Sequence, residues 1–235
     1  MSSTDLQPSK LGTKEHWDNV YSSELTNFEE IGDEGEVWFG EDSVEKMVDW
    51  ALDNVPSDSS PFILEVGAGN GNLLFALCEA GYNPYKILGV DYSPDAIKLA
   101  QAISKNKSTP QVDEAEGGGE GAVPALEDAD KITFAVCDFL QDDVIPPERA
   151  AAEAGSVAVW ELVLDKGTFD AIALAEKDAS DRAPADRYPA RIGRVVKPGG
   201  FFLITSCNFT EEELKTKFAN DVTGLRYQYA FVFSG

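Results

Sequence analysis

The stretch Phe62-Ile63-Leu64-Glu65-Val66-Gly67-Ala68-Gly69-Asn70-Gly71 constrains this chain more than any other. An apolar run entering three alternating glycines reads as a strand, a tight turn and the opening of a helix. Glycine carries no Cβ, so such a turn can adopt left-handed backbone and bring main chain close to a bound group, while the following helix turns its free N–H groups toward the same place. The third glycine falls at Gly71, and Asn72 stands where the dinucleotide pattern GxGxxG needs its last glycine. Glu65 closes the strand. A carboxylate there would repel a pyrophosphate and would suit the ammonium of an amino-acid-like ligand.

From Phe62 onward, strand and helix patterns alternate, which is the signature of an α/β chain with a doubly wound, mostly parallel sheet. Helices are predicted over Asn72 to Ala80, Pro94 to Ser104 with Ser93 as N-cap, Arg187 to Val196, and Thr210 to Phe218, where Thr210 and Glu213 form a capping box. Strands are predicted over Lys86 to Val90, Ile132 to Cys137, Trp160 to Leu164, Phe201 to Thr205 and Tyr227 to Phe233. Two amphipathic helices precede the first strand. One carries Trp17, Val20, Tyr21, Leu25 and Phe28 on one face; the other starts near Asp42 with Val44, Met47, Val48, Ala51, Leu52 and Val55 inward, and Pro56 ends it. Residues 1–56 therefore read as a helical cap over the active site of a domain spanning 57–235. Lys105 to Asp130, rich in Gly, Glu, Asp and Pro, reads as a disordered acidic insertion, either a docking arm or a solvated loop tip, and Asp142 to Ser156 as a second surface excursion.

The formal net charge of −23 works against phosphate backbones and favours a basic protein surface as partner, although acidity also serves solubility alone. Cys78, Cys137 and Cys207 are widely separated and odd in number, which fits a reducing, intracellular setting rather than a disulfide framework or a metal cluster. The polar segment Met1 to Lys10 predicts no secretion signal, and no run has membrane-spanning length. His16 is the only histidine, so a Ser-His-Asp set has no place here, and the P-loop pattern is missing.

In a doubly wound sheet, ligands lie beyond the carboxyl ends of the strands, so the residues closing each strand are the candidates for chemistry. Asp91, followed by Tyr92, closes the second strand and is placed for two ribose hydroxyls, or else caps the next helix. Asp138 and Phe139 close the third, where a carboxylate could receive an adenine amino group beside an aromatic flank, or simply form a turn. Asp165-Lys166-Gly167-Thr168 closes the fourth and faces the reactive end of the ligand. Asp165 suits an incoming amine as well as a helix cap; Lys166 either neutralises it or points to solvent. Trp38 and Phe39 are candidates for a lid on a substrate channel. With Glu65, Gly67, Gly69 and Gly71 these residues outline a pocket for S-adenosylmethionine, whose amino-acid moiety carries the ammonium group. No metal is implied.

On these residues the chain resembles the seven-strand S-adenosylmethionine-dependent methyltransferases. A narrower resemblance rests on Leu11-Gly12-Thr13-Lys14-Glu15-His16-Trp17-Asp18, on Trp38-Phe39-Gly40-Glu41, on DKGTFDAI from Asp165 to Ile172, and on KPGGFFLITSCNFTEEEL from Lys197 to Leu214. These blocks are similar to the fungal elongation factor 1-alpha lysine methyltransferases of the protein-lysine methyltransferase 4 type. The resemblance implies S-adenosylmethionine as cofactor, a cytoplasmic protein substrate, elongation factor 1-alpha, and lysine N-methylation. A small-molecule methyltransferase, or a non-catalytic interaction protein with the same fold, is the alternative. The class ends in an antiparallel hairpin, whereas this sequence stops at Gly235 just after its first candidate strand, Tyr227 to Phe233, which reads as a truncated C-terminal hairpin.

Overall fold

A computed structural model describes residues 6–112, 122–144 and 159–231. In chain order the elements are α1 (Lys14–Ile31), α2 (Gly40–Asn54), β1 (Ile63–Val66), α3 (Asn72–Glu79), β2 (Ile87–Asp91), α4 (Pro94–Lys107), β3 (Gln111–Val112), β4 (Ala122–Val123), β5 (Thr133–Val136), β6 (Trp160–Lys166), α5 (Thr168–Ala173), α6 (Tyr188–Val195), β7 (Val196–Thr205) and α7 (Glu211–Phe218). Five parallel strands form the main sheet in the order β5-β2-β1-β6-β7. The chain builds outward from β1 through β2 to β5, then returns to lay β6 on the other side of β1. The carboxyl ends of β1 and β6 thus flank the switch point, where open α/β sheets bind ligands.

Strand alternation sorts the core into two layers. Ile63, Ile87, Leu162 and Leu164 face one layer with Met47, Leu73, Leu77 and Ile97 from α2, α3 and α4. Leu64, Val66, Val90 and Val163 face the other, against Phe169, Tyr188, Ile192 and Phe218 from α5, α6 and α7. Every residue of β1 and β2 is buried, as expected of parallel strands covered on both sides. The predicted capping box is present: Thr210 Oγ1 accepts from the Glu213 N–H, and Glu213 accepts from the Thr210 N–H at 2.9 Å. Among the described residues, no helix is long and apolar enough to cross a membrane.

Several expectations are corrected. The segment expected as a final strand is irregular from Leu225 to Phe231, with Tyr227 donating to Glu211 at 2.7 Å and the Tyr229 ring against Trp50; residues 232–233 lie outside the described residues. The expected disordered insertion is structured at both ends. Lys105 to Lys107 finish α4, Gln111–Val112 pairs antiparallel with Ala122–Val123, and the fully buried Ala129 accepts from Ser104 Oγ at 2.8 Å. Apolar anchors as sparse as Leu126 and Ala129 suffice because α4 offers them a ready surface, a long-range effect that local composition does not report. Only 113–121 of that stretch lie outside the described residues, as do 145–158 of the second expected excursion. In α2, which starts at Gly40 ahead of the expected Asp42, the buried stripe runs through Ser43, Val44, Met47, Trp50 and Ala51 at three- and four-residue spacing, and Leu52 falls off it, 38% exposed. Ser93 is the N-cap of α4, yet its hydroxyl makes no cap bond; Asp91 Oδ1 accepts the Ser93 N–H instead, at 2.9 Å.

Candidate active site

A cavity of about 490 Å³ opens at the switch point, within the size range of small-molecule sites. Its wall takes in Gly67, Gly69, Asp91, Tyr92, Asp138, Phe139, Trp38, Phe39 and Lys166, so most of the residues singled out from sequence converge there. Glu65, Gly71 and Asp165 do not line it.

The glycine turn works differently from a bare cradle. Gly67 has φ +71°, and a Cβ there would fall 2.0 Å from Thr168 Oγ1, which itself donates to the Val66 carbonyl at 2.7 Å. A Cβ on Gly69 would fall 2.4 Å from the Tyr21 hydroxyl. Side chains of α5 and α1 therefore press on the turn and fix its shape, while the Gly67 and Ala68 N–H groups donate to the Val90 carbonyl at 2.8 and 2.9 Å. This places the ends of β1 and β2 side by side.

Asp91 is 5% exposed, and its Oδ2 accepts the Gly69 N–H at 3.1 Å. Its carboxylate belongs at once to the turn, to the start of α4 and to the cavity wall. Burial pushes its pKa up to about 6, against the pull of the Ser93 and Gly69 N–H groups. Asp138 Oδ1 accepts the Leu140 N–H at 3.0 Å and its other oxygen accepts from Gln141, so this carboxylate shapes a turn while lining the cavity. The Phe139 ring meets Tyr188 edge to face, centroids 5.4 Å apart.

Glu65 is 1% exposed, and its Oε2 has no hydrogen-bond partner among the described residues. Burial raises its pKa to about 8, opposed by the nearby Lys166 charge. Leaving a buried carboxylate oxygen unpaired is costly, so a positively charged group is the natural complement. Lys166 is itself largely buried, which lowers its pKa against the pull of Glu65, and its Nζ donates to the Trp38 carbonyl at 3.0 Å. The choice left open between neutralising Asp165 and pointing to solvent thus has a third answer.

Asp165 takes the helix-cap alternative. It is fully buried, and its Oδ1 accepts the Thr168 N–H at 2.7 Å. Its Oδ2 accepts the Phe169 N–H at 3.1 Å and the Tyr188 hydroxyl at 2.6 Å. Burial pushes its pKa up to about 7, against the Tyr188 and backbone hydrogen bonds. The carboxylate turns into the core rather than toward the cavity because the N-terminus of α5 offers it two amides on the inner side. The orientation expected for an incoming amine is therefore not the one it has.

Sequence reading placed Thr168 only within the closing segment of the fourth strand and gave no site role to Tyr21, Asp170 or Asn208, all on the cavity wall. Asp170 accepts from Ser206 Oγ at 2.6 Å and from the Cys207 N–H at 2.8 Å, tying the loop after β7 to α5. Thr168 and Asp170 lie inside DKGTFDAI and Asn208 inside ITSCN, so the signal was in blocks already singled out. Trp17 donates from Nε1 to the Leu11 carbonyl at 2.7 Å and packs edge-on against Trp38, centroids 4.8 Å apart. Among the described residues no group of three or more His, Cys, Asp or Glu is arranged to hold a metal ion.

Comparison with known proteins agrees with this architecture. Residues 57–116 match the family described as "Methyltransferase domain". The solved [4+2]-cyclase SpnF superposes with a TM-score of 0.50, covering 86% of this chain and 61% of that one at 14% identity, a likeness of fold alone. Protein-lysine N-methyltransferase efm4 of Schizosaccharomyces pombe is 38% identical over 227 residues, spanning 92% of this chain and 83% of the relative. EEF1A lysine methyltransferase 2 of Homo sapiens is 38% identical over 213 residues, 90% of this chain and 75% of the relative. Protein-lysine N-methyltransferase EFM4 of Saccharomyces cerevisiae is 34% identical over 216 residues, 89% of this chain and 81% of the relative. With likeness of this degree running through cap, glycine turn and strand ends alike, the chain belongs to this family of protein-lysine N-methyltransferases.

Proposed function

We propose that the enzyme transfers a methyl group from S-adenosylmethionine to a lysine ε-amine of translation elongation factor 1-alpha. Identity of 34–38% along some nine-tenths of the chain to enzymes whose names specify lysine methylation, one of them naming EEF1A, carries the substrate half of this reading. The donor half rests on the unpartnered Glu65 oxygen, the complement of an ammonium, and on Asp91 at the end of β2, suited to ribose hydroxyls. Tyr92, Asp138 and Phe139 supply the aromatic and acceptor groups an adenine needs. When bound, S-adenosylmethionine supplies an electrophilic methyl on sulfonium sulfur.

The chain's own contribution is to bind, align and dry the site. A substrate lysine must lose its proton before its nitrogen can attack, which at pH 7 costs roughly 4–5 kcal/mol from a reference pKa of about 10.4. The aromatic walls made by Trp17, Trp38 and Phe39 and the neighbouring Lys166 charge all disfavour an ammonium there. Alignment then supplies the larger share of the rate. With Asp165 bonded into the core and both Asp170 oxygens bonded to Ser206 and Cys207, Asn208 on the wall beyond β7 is the group we assign to orienting the amine. The proposal extends to residues 1–56 as a cap carrying the substrate channel, and to a cytoplasmic location, consistent with three unpaired thiols.

Purified enzyme with labelled donor and elongation factor 1-alpha is expected to place the label on lysine, read by mass spectrometry. Label in small metabolites of a cell extract, with the protein factor unlabelled, would overturn the substrate assignment. A pH dependence follows as well. Glu65, Asp165 and Asp91 hold their protons to a higher pH in the folded chain than in the unfolded one. Their protonation therefore stabilises the ligand-free fold at acid pH, and that stabilisation is lost as pH rises through about 6, 7 and 8. An ammonium against Glu65 favours the ionised form. Affinity for S-adenosylhomocysteine is thus expected to rise with pH between about 6.5 and 8, by up to about tenfold per unit, with proton release seen by calorimetry in two buffers. A flat or falling affinity would remove Glu65 from the donor site.

A further inference from the structure

Between α1 and α2 the chain from Gly32 to Gly40 forms a strap that carries Trp38 and Phe39 onto the cavity wall. It contains no regular helix or strand before its last residue, and Phe39 sits at φ 65°, a conformation an aromatic residue adopts only where its surroundings impose it. What imposes it is legible in the hydrogen bonds. Asn70, in the glycine turn after β1, donates from Nδ2 to the Glu34 carbonyl at 2.9 Å and to the Glu36 carbonyl at 3.4 Å. Lys166, at the end of β6, donates to the Trp38 carbonyl at 3.0 Å. The Phe39 ring then closes over Gly167, where a Cβ would fall 2.3 Å from its Cε2.

The two strand ends flanking the switch point therefore grip one strap by its main chain, and side chains from that strap complete the cavity. We propose that Asn70 and Lys166 are positioning residues for methyl transfer, tying the order of the Glu34–Phe39 strap to occupancy of the glycine turn. This rests on the donor reading given above. The physical link is shared attraction. Lys166 faces Glu65, and a ligand ammonium at Glu65 takes over part of that attraction, leaving the lysine to the Trp38 carbonyl. By reciprocity, whatever loosens the strap also weakens the ligand, by the same factor. Asn70 contributes from the other side through the turn itself, since its Oδ1 accepts the Asn72 N–H at 3.3 Å at the start of α3.

The test uses the full chain with S-adenosylhomocysteine as probe. In the wild type, backbone hydrogen exchange over residues 32–40 is expected to slow by at least about tenfold when the probe binds. Asn70→Asp keeps the acceptor and loses the donor; Lys166→Met loses the ammonium. Both variants are expected to lose the slowing and to bind the probe more weakly by the same factor, about tenfold. In both, kcat should fall by about a hundredfold while KM for the donor changes far less, the mark of misalignment rather than lost binding. Lys166→Arg should restore most of kcat. Equal slowing in the variants, unchanged kcat, or a wild type that binds the probe with no slowing would each overturn the coupling. A wild type that fails to bind the probe would instead bring down the donor reading, and the coupling with it. Should Lys166→Met not fold, the partly exposed Asn70→Asp still decides.

Discussion

Replacing Asp165 by alanine is expected to destabilise the protein by about 3–5 kcal/mol, the range seen when one partner of a buried polar network is removed. The fully buried carboxylate accepts from Thr168 N, Phe169 N and the Tyr188 hydroxyl, and alanine would leave all three donors unpaired in the core. Tyr188 is fully buried too, stacked on Phe169 at 5.5 Å, so no water can reach it without opening the layer between α5 and α6. Asp165→Asn keeps one acceptor and should cost less. The decisive measurement pairs chemical denaturation with methyl transfer at low temperature. Activity of Asp165→Ala that recovers where the variant is folded would mark a structural role. A stable variant with activity lost more than a thousandfold would instead return Asp165 to the reacting amine.

Gly67→Arg should abolish ligand binding, by more than a hundredfold. The backbone at φ +71° is strained for any residue with a Cβ, at a cost of roughly 1–3 kcal/mol. The Cβ itself would collide with Thr168 Oγ1, 2.0 Å away, and Thr168 cannot retreat while its hydroxyl is bonded to the Val66 carbonyl. The turn must then shift, and with it the Gly67 N–H that holds β1 against β2 and the Gly69 N–H on Asp91. Gly67→Ala isolates the steric part. Combined with Thr168→Ala it should recover part of the lost affinity, because the obstructing hydroxyl is gone. Calorimetry with S-adenosylhomocysteine reads both effects; full affinity in Gly67→Arg would show that the turn plays no part in binding.

Much of this protein was legible in local sequence because local chemistry dictates it. Three glycines after an apolar run fix a strand-turn-helix, and strands alternating with helices fix a parallel sheet whose switch point must lie beside that turn. Asp91 and Asp138 follow, since the end of a strand is a local property and the sheet brings such ends together. The capping box at Thr210 was equally readable, its partners being three residues apart.

What tertiary structure decided was the direction in which polar side chains point. Asp165 lies at the predicted strand end, yet a carboxylate there can turn either to the cavity or to the amides of α5 and the Tyr188 hydroxyl 23 residues on, and the buried donors win because they have no other partner. The strap shows the same limit. Asn70 reaches a carbonyl 36 residues away and Lys166 one 128 residues away, contacts to main chain that leave no mark in side-chain pattern. Periodicity and spacing specify which atoms lie near one another along the chain; which buried donor meets which acceptor is settled only when the layers close.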